Sequence, residues 1–542
     1  MIRFDRRSFI ITSAFGIGGL ALPDGRLAAQ MLGAARGFTH NVASGEPGPQ
    51  SVLLWTRYVG EGASAHVRAE IAEDEAFARI VARDTVITGP WRDWTAKVTL
   101  DGLVPGKRYF YRFAGPDGSF SPVGRTKTLP VGRVARFGIG VFSCSNLPAG
   151  VFNAYAHAAA RDDIDVALHL GDYFYEYQRG GYPAASPRWD LILPVTETVS
   201  LADYRLRFAS YRADKDLQAI HNRHPMIVSM DDHESTNDAW EGSAQNHQPE
   251  EGDWNTRRAA AIQAYREWMP IDDLPYKSYQ IGDLATFFRT ETRLLARTTP
   301  PSVQPLFAAP DVPAALAKFK NETWRDPAMT MMGTTQERWL YEGLRQSTRA
   351  RTRWQVVGTG TIMGETYTPP AAAQWLSADA PDWARRRALG GIALTQAGLP
   401  FNFDNWGGYP AARARLLSAA QSANANLIML AGDSHNAWAY DLANNGRAAG
   451  VEFAGHSVTS PGFEASTRGT DPAAVAAAII KSSPELRWAD TSRRGYMALT
   501  LTPRAATNEW VFMQAIDAPN LATQPAHRMQ VRPGMAKLEA VT

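Results

Sequence analysis

Four short polar groups each follow an apolar run in this chain: Cys144-Ser145-Asn146, Asp172-Tyr173-Phe174-Tyr175, Asp231-Asp232-His233-Glu234 and Asp433-Ser434-His435-Asn436. Together they carry the side chains that bind metals. A carboxylate such as Asp172 can bridge two cations, and a phenolate beside it, from Tyr175, favours a trivalent ion such as iron(III). Cys144 offers a thiolate and His435 an imidazole nitrogen, giving a mixed sulfur, oxygen and nitrogen site suited to a transition metal. Asp172, Asp232 and Asp433 make an all-oxygen site suited to calcium, magnesium or manganese. Zinc is a further divalent choice. Charge agrees with this pairing. Ionised, Cys144, Asp172, Tyr175, Asp232 and Asp433 match one trivalent plus one divalent ion, and a buried cluster must be near neutral. Two metals about 3.5–4 Å apart lower the pKa of a bridging water and clamp a phosphate for in-line attack. The leaving oxygen then needs a proton, and His233, next to Asp232, is placed to supply it as a general acid.

Such groups act together only if the fold brings them to one edge. Residues 135–143, 166–171, 225–230, 354–359 and 427–432 read as buried strands, alternating with helical stretches at 151–161, 203–215, 253–268, 335–347 and 411–422. That alternation marks an α/β layer fold, and in such sheets ligands bind at the carboxyl ends of the strands. Upstream, residues 37–130 read as all-β. Residues 51–58 and 66–74 alternate as half-buried strands do. The turn Leu103-Val104-Pro105-Gly106, followed by Tyr109 and Tyr111, suits a fibronectin-like β-sandwich. Residues 126–134 are a linker, and a catalytic domain is expected over 135–520.

The remaining composition narrows the setting. The chain has 542 residues, of which 45% are hydrophobic and 20% charged, enough for a large core. A net charge of +2 implies no nucleic-acid surface, and a single cysteine excludes an intrachain disulfide. Residues 1–30 carry Arg6-Arg7, a modest glycine-broken apolar run and the small-residue stretch Leu27-Ala28-Ala29. This has the form of a twin-arginine export signal. It implies passage through the twin-arginine translocase to a periplasmic or extracellular location, without a transmembrane segment.

The groups Gly171-Asp172-x-x-Tyr175, Asp232-His233-Glu234 and Gly432-Asp433-x-His435 are similar to the metallophosphoesterase motifs GDxxY, GNHE and GHxH. Asp replaces Asn in the second and the first His in the third, a pattern that resembles the PhoD-like alkaline phosphatase family. Residues 38–57, 204–234 and 246–270 agree with it. The resemblance implies an α/β metallophosphoesterase-type α/β/β/α sandwich with an N-terminal fibronectin-like β-sandwich domain. It also implies twin-arginine export, iron and calcium as metals, and hydrolysis of phosphomonoesters and phosphodiesters. The chain departs from the family at Gly358-Thr359-Gly360-Thr361, where relatives often carry Gln, and at Glu291-Thr292-Arg293, where they often carry Asp-Thr-Arg.

Each residue also has a plainer reading. A lone cysteine after a strand is usually a small buried hydrophobe, and only its company makes Cys144 a ligand. Asp231 is expected to be a structural acceptor, since only one of two adjacent aspartates faces a site. His169 and His221 read as structural, and His456 as either a support of the site or nothing. Asn237 either touches the cluster or substrate or closes an Asx turn. Tyr173, Phe174, Tyr177, Trp240 and Trp254 either wall a pocket or pack a core. Residues 383–387 (WARRR) read as a solvated face, and residues 180–198 as a lid or as surface decoration. Among functions, the leading one is a secreted phosphoesterase taking a phosphate-ester substrate. The alternatives are a dedicated diesterase acting on phospholipid or teichoic-acid-like polymers, and a non-catalytic metal-bound binding protein.

Overall fold

A computed structural model describes residues 35–183, 186, 188–376, 382–467 and 469–541. The export signal read at residues 1–30 lies outside them. Two large sheets face each other. The first has ten strands, with Phe137–Phe142, Val166–His169 and Met226–Val228 running parallel at its centre. The second has seven, with Ala285–Arg289, Trp354–Gly358 and Leu427–Ala431 parallel at its centre.

Strand periodicity explains the layering. In Phe137–Phe142, residues Phe137, Ile139 and Val141 face the second sheet, joined by Val166 and Leu168 of the next strand. They meet Phe287, Trp354, Val356, Ile428 and Leu430 from the facing sheet in one dry core. The intervening residues, such as Ala167 and Phe142, point to the other face. There the helices Asn153–Ala159, Leu201–Arg212, Lys215–Arg223 and Trp254–Trp268 cover them. The helices Gly333–Arg349, Pro410–Ala423 and Pro472–Ser482 cover the outer face of the second sheet. In Gly333–Arg349 the buried positions Gln336, Leu340, Leu344 and Ser347 recur at three- and four-residue steps, the stripe of a half-buried helix. The result is an α/β/β/α sandwich.

The N-terminal β-sandwich is present, with Val42, Leu54, Val67, Ile71, Tyr111 and Phe113 in its core. The Tyr109 hydroxyl accepts a hydrogen bond from the Val104 amide at 2.9 Å, closing the predicted turn. One sheet of this sandwich holds Ile80–Thr88, Ala65–Ala72, Arg108–Ala114 and Gly124–Lys127. The other, Gly37–Gly45, Ser51–Val59 and Thr95–Asp101, continues the ten-stranded sheet, because Gly45 pairs in parallel with Met226. Sequence alternation cannot reveal this, since a strand's own pattern does not name its neighbour. Among the described residues no helix is long and apolar enough to cross a membrane.

Candidate metal centre

The parallel strands of both sheets end at the same edge, and their first loop residues converge there. The Sγ of Cys144, a carboxylate oxygen of Asp172 and a ring nitrogen of His435 lie within 4.8 Å of one another. A second group joins Asp231, Asp232 and Asp433 within the same limit, and a third joins Asp172, Asp232 and His233. The Tyr175 hydroxyl lies 3.2 Å from Asp172 Oδ2 and 3.0 Å from His435 Nε2. His435 Nδ1 donates to the Pro461 carbonyl at 2.8 Å, which leaves Nε2 facing inward as an acceptor.

These loops are tight. Cys144, Asp172, Asp433 and His435 all take positive φ, between 53° and 65°. That region is sparsely used by side-chain-bearing residues and costs of order 1 kcal/mol or more at each position. Gly171 sits at φ 107°, and a Cβ there would lie 2.3 Å from Asp231 Cβ, so glycine is required where the two ligand loops touch. Glu234 locks them together. Its buried carboxylate accepts the amides of Asp172, Tyr173 and Asp231 at 3.2, 2.6 and 2.7 Å.

The donors fit cations. Burial, with the Asp172 carboxylate beside it, pushes the Cys144 thiol well up. Burial likewise raises Asp172, with Asp232 and Asp231 adding to it against the opposing pull of His233. Asp433 rises by burial and the neighbouring Asp231, opposed by Arg293. Tyr175 is raised by burial and Asp172. Burial lowers His435 to about 3, keeping it neutral, the form that ligates. Asp172 Oδ1 and Asp232 Oδ1 are buried without hydrogen-bond partners. Asp172 resists ionisation and carries an orphaned oxygen, while Asp232, against its burial, is held ionised by Arg293 and His233; bound cations would stabilise both carboxylates.

His233 is held separately. Its Nδ1 lies 2.6 Å from Glu176 Oε2, while Oε1 of Glu176 accepts from Thr236 Oγ1, the Asn237 amide and Asn246 Nδ2 at 3.0, 2.8 and 3.0 Å. Burial alone would lower His233, but Asp232, Glu176 and Asp172 together hold it well above the usual histidine range. The ring lines a cavity of about 810 Å³ whose floor includes Asp172, Asp232, Asp433 and His435.

Arg293 was not among the expected site residues. Fully buried, it donates from Nε to Asp231 at 2.5 Å and from a terminal nitrogen to Asp404 at 2.5 Å. Its other terminal nitrogen lies 3.6 Å from both Asp232 and Asp433. Asp231 thus accepts from Arg293, but it also stands in one carboxylate group with Asp232 and Asp433, so both adjacent aspartates face the site where only one was expected to. Glu291 accepts the amides of Arg293, Leu294 and Leu295 and turns the chain so that Arg293 enters the site. At Gly360 a Cβ would lie 2.5 Å from Asp231 Oδ1, so the departure from the family pattern there accompanies close contact with that aspartate. Glu176 and Glu234 directly follow Tyr175 and His233 in sequence, and that adjacency is the signal that would have found them. Arg293 has one signal, its place in the stretch Glu291-Thr292-Arg293 that resembles the Asp-Thr-Arg of relatives, and Asp404 has none.

The remaining expectations divide. His169 and His221 belong to buried networks with Tyr155 and Tyr173, and His456 bonds the Val511 carbonyl at 3.1 Å away from the cluster. The Asn237 side chain bonds Gln245. Tyr173 and Phe174 are core, and Tyr177 lines the cavity. Trp254 packs in a small core with Ala239 and Leu294, and Trp240 is half-buried in a two-residue strand. Within residues 180–198, Tyr182 reaches to 3.2 Å from His435 Nδ1. Buried Arg207 pins the carbonyls of Leu193, Pro194 and Thr196, so this part is anchored. Residues 383–387 lie on the helix Asp382–Gln396, where Arg385, Arg386 and Arg387 are exposed as expected and Arg387 also lines the cavity.

The sequence profile described as "PhoD-like phosphatase" matches residues 139–510, more than half of the chain. The chain is a member of the PhoD-like phosphatase family. A second profile, "PhoD-like phosphatase, N-terminal domain", matches residues 26–130. The chain is 33% identical to alkaline phosphatase D of Bacillus subtilis (strain 168), over 96% of this chain and 86% of that protein. A solved structure of PhoD superposes with a TM-score of 0.77 at 29% identity, covering 94% of this chain and 93% of that one. A purple acid phosphatase from yellow lupin (Lupinus luteus) seeds shares the fold, with a TM-score of 0.51 at 12% identity over 91% and 74% of the two chains. This PhoD-like phosphatase is accordingly a phosphoric ester hydrolase that works with metal cofactors, and its substrates are phosphate esters.

Proposed function

We propose that this PhoD-like phosphatase is an exported alkaline phosphatase D-type enzyme that hydrolyses phosphomonoesters and phosphodiesters at a mixed two-metal centre. In this reading Cys144, Asp172, Tyr175 and His435 hold iron(III), and Asp172, Asp232 and Asp433 hold calcium. Bound metals supply a nucleophile from water at neutral pH and draw charge from the phosphoryl oxygens. Glu176 fixes the His233 ring through Nδ1, leaving Nε2 to give the leaving oxygen its proton. Arg293 balances Asp231 and keeps Asp232 ionised for its cation. Residues 1–30 act as a twin-arginine signal, 37–130 as the N-terminal domain and 135–520 as the catalytic domain.

The observation that carries the reading is the meeting of one thiol, one phenol, one imidazole and one carboxylate, with a carboxylate-bound histidine beside them. The test is turnover of p-nitrophenyl phosphate and bis-p-nitrophenyl phosphate with and without chelator, in wild type and His233→Ala. Chelator-sensitive turnover is expected on both esters. In His233→Ala, with the metal content intact, turnover of an alkyl phosphate, whose leaving oxygen needs a proton, should be lost, and that of the p-nitrophenyl esters should fall much less. Full activity of that variant on the alkyl phosphate would overturn the acid assignment.

A further inference from the structure

The cavity is much larger than a phosphate group needs. Its volume of about 810 Å³ lies toward the top of the ~300–1,000 Å³ range of ligand pockets. Away from the carboxylates its wall changes character to Tyr367, Trp375, Phe401, Trp438 and Phe463, with Arg387. The rings form a chain. Phe401 and Phe463 meet edge to face at 6.1 Å and 84°, and Phe463 meets Trp438 at 5.9 Å and 70°. The Arg387 guanidinium lies 5.1 Å from the centre of the Phe401 ring.

This wall is tied to the metal-binding loop. The Trp438 indole donates to Ser434 Oγ at 2.6 Å, and the Phe463 amide to Asn436 Oδ1 at 3.1 Å. Both partners flank His435. The aromatic wall is therefore hydrogen-bonded to the two neighbours of His435 and holds a fixed relation to any phosphate bound there. Phe401, Phe463, Tyr367 and Trp375 are half-buried, and all of them line the cavity.

We propose that this wall is the subsite for a flat aromatic group on the phosphodiester substituent that is retained, with the expelled alcohol leaving beside His233. The proposal rests on the phosphoesterase reading above and adds the chemical class of the second substituent. A substrate ring continues the edge-to-face series and lies within reach of a guanidinium, both of which favour a ring over an alkyl chain of equal area.

The test uses three diesters with a common p-nitrophenolate leaving group and methyl, hexyl or phenyl as the retained group. Each rate is normalised to its hydroxide-catalysed reaction. The phenyl ester should exceed the methyl ester in kcat/KM by roughly 10- to 100-fold, from ring burial and ring pairing, and should exceed the hexyl ester. Phe401→Ala should lower the phenyl-to-methyl ratio about tenfold, and Phe401→Tyr should keep it. Independently of any variant, phenylphosphonate should inhibit wild type more tightly than methylphosphonate. A phenyl-to-methyl ratio near one, a hexyl ester equal to the phenyl ester, or a ratio unmoved by Phe401→Ala would each overturn the aromatic subsite. Turnover of p-nitrophenyl phosphate would persist in those cases. Its loss with every ester would overturn the phosphoesterase reading itself.

Discussion

Glu176→Gln isolates the role of a single oxygen. In the wild type Oε1 of Glu176 accepts three hydrogen bonds, from Thr236, Asn237 and Asn246, and Oε2 accepts one, from His233 Nδ1 at 2.6 Å. A glutamine that keeps its oxygen at the Oε1 position preserves the first three and sets an N–H donor against His233. The imidazole must then accept at Nδ1 and carry its only proton on Nε2. That neutral ring is a far weaker acid than the imidazolium that Glu176 and Asp232 favour. A hydrogen bond to a charged group contributes about 1.5–3 kcal/mol, and each 1.36 kcal/mol of barrier is tenfold in rate. We therefore expect kcat to fall roughly 10- to 150-fold on alkyl phosphates, whose leaving oxygen needs a proton. The fall on p-nitrophenyl phosphate, which leaves as a stable anion, should be much smaller. Steady-state kinetics on both substrates, with metal content measured in parallel, makes the comparison. In a His233→Ala background the second change should add almost nothing, because both act through one proton. Equal losses on both leaving groups, or additive losses in the double variant, would refute this account and make Glu176 a purely structural acceptor.

Tyr175→Phe removes the phenol that touches Asp172 and His435, so the visible charge-transfer band expected of iron(III) phenolate should vanish; a band that survives in its absorption spectrum would exclude Tyr175 as a ligand. Gly360→Ala drives a methyl group against Asp231, whose Oδ1 carries the Arg293 contact, and should cost about 1–3 kcal/mol, read as a lowered Tm. An unchanged Tm would show slack in that loop. Acid sensitivity should come in part from His169, His224 and His456, which burial lowers to about 3, 4 and 4. The unfolded chain protonates near pH 6.5, so their stabilisation is complete above that pH and is lost on going down to about pH 4, or about pH 3 for His169, at roughly 3 to 5 kcal/mol each. Denaturant unfolding of His456→Gln across that range should show a slope shallower by about 1.4 kcal/mol per pH unit; an unchanged slope would mean that His456 is not held neutral.

The chain by itself determined which side chains gather at the strand ends. Asp172, Tyr175, Asp232, His233, Asp433 and His435 stand in short motifs at strand ends, where residue type and local spacing carry the information. Cys144 is readable for the same reason, because it follows an apolar strand. The apolar runs of the central strands mark them as buried, but not which of their side chains face the second sheet, because both faces are covered. What only the tertiary structure decided are contacts between segments far apart in sequence. Arg293 reaches Asp231 across 62 residues and Asp404 across 111. Arg387 is the solvated charge it reads as, and only the fold shows that it also lines the cavity. The three strands that the β-sandwich lends to the ten-stranded sheet depend on Gly45 meeting Met226, and no local periodicity encodes that meeting. The physical reason is common to all three. Local patterns record how a residue is buried, whereas a charge or a strand edge is completed by a partner that the fold supplies.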